Sequence, residues 1–247
     1  MSKQIAMYIE QISPIPADMV IVAGDIGHYN TQNKEFLIQL SSIYKNVLFT
    51  LGNHDLYLVS SHSCSAYKNN SYNRVKDMKE WAEEQPNIHY LDGQTIELEG
   101  LKISGLSMWY DYTYGIENFG LTTDAMKNLW KHSMNDYNYI VSSPKFDPLS
   151  FYSTEKDKLD LIGEVDIMVS HFGPLAINIP PIFHDATTGF YYFDGKDTIE
   201  RIKPKIWIYG HTHKAFKHKL NEDTILLCNP MGYPNENPYK QMEVFDV

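Results

Sequence analysis

Aspartate, asparagine and histidine recur in this chain at the ends of apolar runs. Gly24-Asp25 follows Met19 to Ala23, and Gly52-Asn53-His54-Asp55 follows Val47 to Leu51. Ser170-His171 follows Val165 to Val169, and Gly210-His211-Thr212-His213 follows Ile206 to Tyr209. A short continuous apolar run reads as a strand buried on both faces. A polar residue at its carboxyl end lies at the edge where open α/β sheets build their sites. Carboxylate and amide oxygens and imidazole nitrogens suit Mn, Fe or Zn. One such segment would be a turn. Four of them imply a metal site assembled from distant parts of the chain, and the chemistry open to it is metal-assisted hydrolysis.

Each residue also has a plainer reading. Gly24-Asp25 alone is more often a turn, Asn53 could merely cap one, and His171 could be a satisfied core histidine. Their joint occurrence favours ligands. His28, three residues past Asp25, is a further loop donor, and Tyr8 a further phenol oxygen, although loop histidines are common and a tyrosine more often packs. His62, His89, His132, His184 and His218 read as structural or exposed.

The elements that must position these residues follow from spacing. Phe36, Leu37, Leu40, Ile43 and Tyr44 keep helical spacing between the first two strands, with Asn30-Thr31 available as cap. Strand, helix, strand with ligands at both strand ends suggests a parallel pair. Val75 to Glu84 reads as helix, ended by Pro86-Asn87. Ile88 to Leu91, Thr95 to Leu98 and Leu101 to Met108 read as strands, with Asp92-Gly93 and Glu99-Gly100 favouring antiparallel hairpins. Thr122 to Lys131 reads as helix, and Thr154 with Asp157 opens another. Asp197 with Glu200 forms a capping-box pattern ahead of the strand at Ile206. Thr224 to Leu227 is a last core strand. The stretch from Asp111 to Phe151 is polar, Tyr-rich and without clear period.

Composition sets the bounds. A chain of 247 residues, 43% of them apolar, supports a sizeable core. With no linker, repeat or low-complexity run, one domain over residues 1–247 is expected. The net charge of -10 argues against extended nucleic acid as a partner, although a metal could still draw a phosphate into a local site. No stretch approaches transmembrane length. Cys64 and Cys228 show no C-x-x-C spacing and no signal-peptide pattern is seen, so a reducing, cytoplasmic setting is expected.

The order and wording of the segments resemble the calcineurin-like metallophosphoesterases, whose pattern is D-x-H, G-D, G-N-H-D/E, a lone His after a strand, then G-H-x-H. The last four stand here at Asp25, Asn53-His54-Asp55, His171, and His211 with His213, across nearly the whole chain. The first motif departs: in the best register, over Ile5 to Glu10, Ala6 falls where the family has Asp and Tyr8 where it has His. Alternatively, the chain begins too late to contain the motif. The resemblance implies an α/β fold, a four-layer α-β-β-α sandwich of two mixed sheets flanked by helices. It also implies hydrolysis of a phosphate mono- or diester supported by divalent ions such as Mn, Fe, Zn or Ni. Asp25 would bridge two ions; Asn53, His171 and His211 would complete one site; His213 would join Asp25 at a second, weaker one. His54 and Asp55 would be the catalytic residues, His54, paired with Asp55 in sequence, as the proton donor or a transition-state electrostatic group, a role that suits imidazole. Trp109-Tyr110-Asp111 and Met134 to Tyr137 look like segments that cover the site in one bacterial and phage subgroup. The altered first motif leaves an alternative, a catalytically impaired protein of the same fold with a binding or regulatory role. The retained His54, which is not expected to be a ligand, favours the enzyme. A zinc-stabilised structural protein fits poorly, because such sites are closed and thiolate-rich.

Overall fold

The structure, a computed structural model, describes residues 9–10, 15–233, 236, 242–245 and 247. Its strands are β1 (Met19–Ala23), β2 (Asn46–Thr50), β3 (Ile88–Tyr90), β4 (Thr95–Leu98), β5 (Leu101–Leu106), β6 (Ile167–Ser170), β7 (Ile206–Tyr209), β8 (Phe216–Lys219) and β9 (Ile225–Cys228). Its helices are α1 (Asn30–Ser41), α2 (Ser61–Ala66), α3 (Ser71–Glu83), α4 (Thr113–Phe119), α5 (Thr123–Ser133), α6 (Asp136–Tyr139), α7 (Pro148–Leu161) and α8 (Lys196–Ile202). Strands β1, β2 and β3 pair in parallel as one sheet. The second sheet runs β4-β5-β6-β7-β9-β8, with β5, β6, β7 and β9 parallel and the outer β4 and β8 antiparallel.

Side-chain alternation sorts the strands into layers, because successive residues point to opposite faces. In β2, Val47 and Phe49 pack with Leu37, Leu40, Met78 and Ala82 of α1 and α3. Leu48, between them in sequence, faces Ile103, Ile167 and Val169 of the other sheet. Met168 and Trp207 point the opposite way, into a cluster with Trp109, Leu159 and Ile202. The result is helices, sheet, sheet, helices: the four-layer α/β sandwich. Strands β2 and β6 are buried throughout, as continuous apolar runs require.

Several local expectations are corrected. Asp92-Gly93 joins no hairpin; β3 pairs in parallel with β2 and the chain then crosses to the other sheet. Glu99-Gly100 does close a hairpin, and both residues have positive φ (51° and 79°), as a tight two-residue turn demands. Helix α7 begins at Pro148 rather than at Thr154, because Asp147 accepts the Ser150 N–H at 3.1 Å. Asn30 caps nothing; its buried amide bonds Arg74 and Asp77 instead. Asp197 lies inside α8, whose N-cap is Gly195 without a side-chain bond. Residues 111–151 hold α4, α5, α6 and the start of α7.

Candidate metal and phosphoester site

Strands β1, β2, β6 and β7 belong to the two sheets, and each is followed within three residues by a ligand-type residue: Asp25, Asn53, His171 and His211. Gly24 (φ 84°) and Asp25 (φ 55°) both sit in the left-handed region, which folds the Asp25 carboxylate back over the strand ends. His211 (φ 63°) and His213 (φ 49°) share this conformation. It is uncommon for residues with a Cβ, and such residues concentrate at functional sites. Room for the turn depends on glycine. A Cβ on Gly52 would come within 2.2 Å of Asp25 Oδ1 and 2.6 Å of the His171 ring.

Asp25, His171 and His211 converge so that one ligand atom from each lies within 4.8 Å of the others. His171 Nδ1 donates to the Ala23 carbonyl at 2.8 Å. In the neutral ring this leaves the Nε2 lone pair facing Asn53 Oδ1 at 3.2 Å and Asp25 Oδ1 at 3.3 Å. Asn53 Oδ1 also lies 3.2 Å from His211 Nδ1. His211 Nδ1–H can donate to Asn53 Oδ1, but the lone pairs of neutral His171 Nε2 and Asp25 Oδ1 repel unless a proton or cation lies between them. A proton on His171 is one solution. A divalent ion is the other, and the set of one carboxylate, one amide oxygen and two imidazoles fits it. Burial opposes charge on His171, yet the adjoining Asp25 carboxylate lifts its pKa above the ordinary value. Burial would raise Asp25, but the charge and hydrogen bond of His171 hold it well below the usual carboxylate range. Burial and the neighbouring His171 push His211 well down, which keeps it a neutral donor. His211 Nε2 is buried with no hydrogen-bond partner among the described residues. Asp25 keeps 20% of its side chain exposed against 1% for His171, so the cluster opens on the carboxylate side.

The Asn53 amide cannot turn over. Its Nδ2 donates to Asp136 Oδ1 at 2.8 Å and to Tyr57 Oη at 2.9 Å, which directs Oδ1 to the histidines. Asp136 is buried and also accepts from the hydroxyls of Tyr57 (2.5 Å) and Tyr110 (2.7 Å). Burial and the Asp136 charge raise both tyrosine pKa values far above normal, so both hydroxyls remain donors. Sequence reasoning assigned no role to Asp136, Tyr57 or Tyr110. The only signal was the resemblance noted at Tyr110 and Asp136.

His54 stands beside this cluster. Its backbone N–H donates to Asp25 Oδ1 at 2.9 Å, and its Nδ1 lies 2.9 Å from His28 Nε2. The rings of His28 and His54 stack, with Tyr57 against His54. Burial and the proximity of His54 lower the His28 pKa. His28 thus meets His54, not the metal-type cluster. Asp55 turns away from the His54 ring. Its carboxylate accepts the N–H groups of Gly52 (2.9 Å), Ile26 (3.3 Å) and Gly27 (3.3 Å) and the Asn33 amide (3.1 Å). It therefore ties the loop after β1 to the loop after β2. His213 lies at the rim, where its Nδ1 pairs with Glu236 Oε2 at 2.9 Å and its ring meets Tyr233 edge-on. Nothing in the sequence pointed to Glu236. Ala6 and Tyr8 lie outside the described residues.

Among the described residues no helix is long and apolar enough to cross a membrane. The chain is 25% identical over 259 residues to Uncharacterized protein L509 of Acanthamoeba polyphaga mimivirus, an alignment covering 93% of this chain and 85% of that one. Its fold is similar to that of the phosphopantetheinyl hydrolase PptH from Mycobacterium tuberculosis. That likeness has a TM-score of 0.66 at 17% identity and covers 90% of this chain and 81% of the other. The profile of the Calcineurin-like phosphoesterase family matches residues 2–215. The strand-end donors therefore stand in a known framework: the chain belongs to the calcineurin-like phosphoesterase family, hydrolases that typically use divalent metals.

Proposed function

We propose that this chain hydrolyses a phosphate mono- or diester of a small molecule at the cluster of Asp25, Asn53, His171 and His211. The observation that carries the reading is the convergence of donor atoms whose own hydrogen bonds point outward. His171 is anchored through Nδ1 to Ala23, and Asn53 through Nδ2 to Asp136. When bound there, a divalent ion such as Mn, Fe, Zn or Ni supplies Lewis acidity and a water of lowered pKa. The chain's own residues do the rest. Asp25 brings the negative charge that retains a cation. With Nδ1–H donating to the Nε2 lone pair of His28, His54 would give a proton from Nε2 to the departing oxygen and be left as a neutral ring. His28, kept neutral by burial, fixes that ring. Asp55 holds the two loops in register instead of touching substrate. His213, its Nδ1 on Glu236, lies outside the cluster of Asp25, His171 and His211 and would serve with Asp25 to hold a second, weaker ion.

The test is His54→Ala. Its bound metal should equal that of the unaltered chain, while turnover of an aryl phosphate ester falls by about 10²- to 10⁴-fold, the range for a positioned acid–base group. Parallel loss of metal and turnover would make His54 a ligand and break the assignment. His171→Ala and His211→Ala should instead release the ion and lower the melting temperature. A variant of either that stays loaded and equally stable contradicts the ligand set.

A further inference from the structure

Arg74, on α3, is fully buried, and among the described residues no carboxylate forms an ion pair with its guanidinium, although the charge of Asp55 favours it. Its bonds to described residues all go to neutral oxygens. Nε donates to Asn30 Oδ1 at 2.9 Å. Nη1 donates to the carbonyls of His54 and Tyr57, both at 2.8 Å, and Nη2 to the carbonyl of Gly27. Three of these acceptors are backbone oxygens of the two loops that carry Asp25 and His54. Burying a cation is costly, and an apolar side chain would close the same helix–loop contact at less cost. An apolar side chain could not bind three carbonyls from two loops at once; a planar fork with five donors can. Asp55 performs the mirror task, accepting N–H groups from the same loops, and Gly27 serves both, its N–H to Asp55 and its carbonyl to Arg74. The fork is itself braced. Asn30 returns a bond to the Arg74 carbonyl at 2.9 Å and another to Asp77 at 2.7 Å, and Asp77 pairs with Lys34 at 2.8 Å.

We infer that Arg74 is a positioning residue: it locks the His54 backbone against the Asp25 loop and so sets where the proton-donating imidazole stands relative to the cluster. The inference rests on the reading of His54 as proton donor. A clamp that served folding alone would affect every substrate alike. A positioning residue that acts through His54 should matter most where the leaving oxygen most needs a proton.

The experiment uses the full chain loaded with Mn. It compares Arg74→Lys, which keeps the charge but loses the fork, with His54→Ala and the double variant, and adds Asn30→Ala as a gentler cut of the same network in case Arg74→Lys does not fold. Turnover is measured on a nitrophenyl and a phenyl phosphate ester, metal per chain is counted, and the His54 imidazole nitrogen resonances are recorded in metal-free protein. Arg74→Lys should keep its metal and near-normal KM. It should lose about 10- to 100-fold in turnover of the phenyl ester, the range for residues that orient a site group, and much less on the nitrophenyl ester. On the His54→Ala background it should cost nothing further, because coupled residues are not additive. The His54 resonances should shift or broaden while those of His132, on α5, stay in place. Equal losses on both esters, multiplicative losses in the double variant, or an unchanged His54 signal would overturn the inference. If His54→Ala shows no leaving-group dependence while Arg74→Lys still perturbs the His54 signal, the proton-donor reading fails and the mechanical link stands.

Discussion

Asp136 decides what Asn53 can be. An asparagine amide offers two donors and an oxygen, and a buried carboxylate at the nitrogen end leaves the oxygen for the cluster. Asp136→Ala should therefore weaken metal binding by about 10- to 100-fold, as removal of outer partners typically does. Titration calorimetry with Mn would show it, and an unchanged affinity would mean that the amide is oriented by something else. Metal binding should also depend on pH through His171. Its folded pKa is raised, so in metal-free protein its proton stabilises the fold. That contribution is complete below the ordinary histidine value and is lost as the pH rises through the raised one. The ion needs the same nitrogen unprotonated. Apparent metal affinity should thus fall as the pH drops through the raised value, by about tenfold per unit for a single competing proton. A flat profile across neutrality would show that no such competition exists.

The site depends on how elements stop. Strands β1, β2, β6 and β7 each stop within three residues of a donor, and glycine lets their loops approach. Gly52→Ala would drive a methyl into Asp25 and His171. Metal binding should be abolished while the circular dichroism of helices and strands changes little. Retained binding would mean that the loop moves aside freely. The same elements show what was legible in the sequence. The strands that lead into Asp25, Asn53, His171 and His211 could be read because a doubly buried strand needs an apolar run, and these polar donors follow where it stops. The two-sheet division could not be read at Asp92-Gly93, since a D-G turn looks the same whether it closes a hairpin or starts a crossing. Residues 111–151 gave no period because α4 and α6 are short, and the buried Tyr112 sits at the N-cap of α4 rather than on a helix face. The pairing of His28 with His54 and the reach of Arg74 to Gly27 depend on contacts 26 and 47 residues apart. No local pattern records those.

At the scale of the whole molecule, the candidate ion is a fastener between two sheets. Asp25 and Asn53 follow strands of the three-stranded sheet, and His171 and His211 follow strands of the six-stranded one. Behind them the sheets meet through Leu48, Ile103, Ile167 and Val169, an apolar contact that needs no ion. Removing metal should therefore loosen one end of the interface without unfolding the chain. At a free metal concentration about 100 times Kd, mass action contributes about 2.7 kcal/mol. A domain of this size shifts its Tm by roughly 2–4 °C per kcal/mol. Chelation should then lower Tm by about 5–11 °C. Hydrogen exchange locates the effect: protection should fall for amides at the carboxyl ends of β1, β2, β6 and β7, while the hairpin of β4 and β5 keeps its own. Uniform loss of protection would mean that the ion supports the fold globally, and no change in Tm would mean that it does not bind across the two sheets at all.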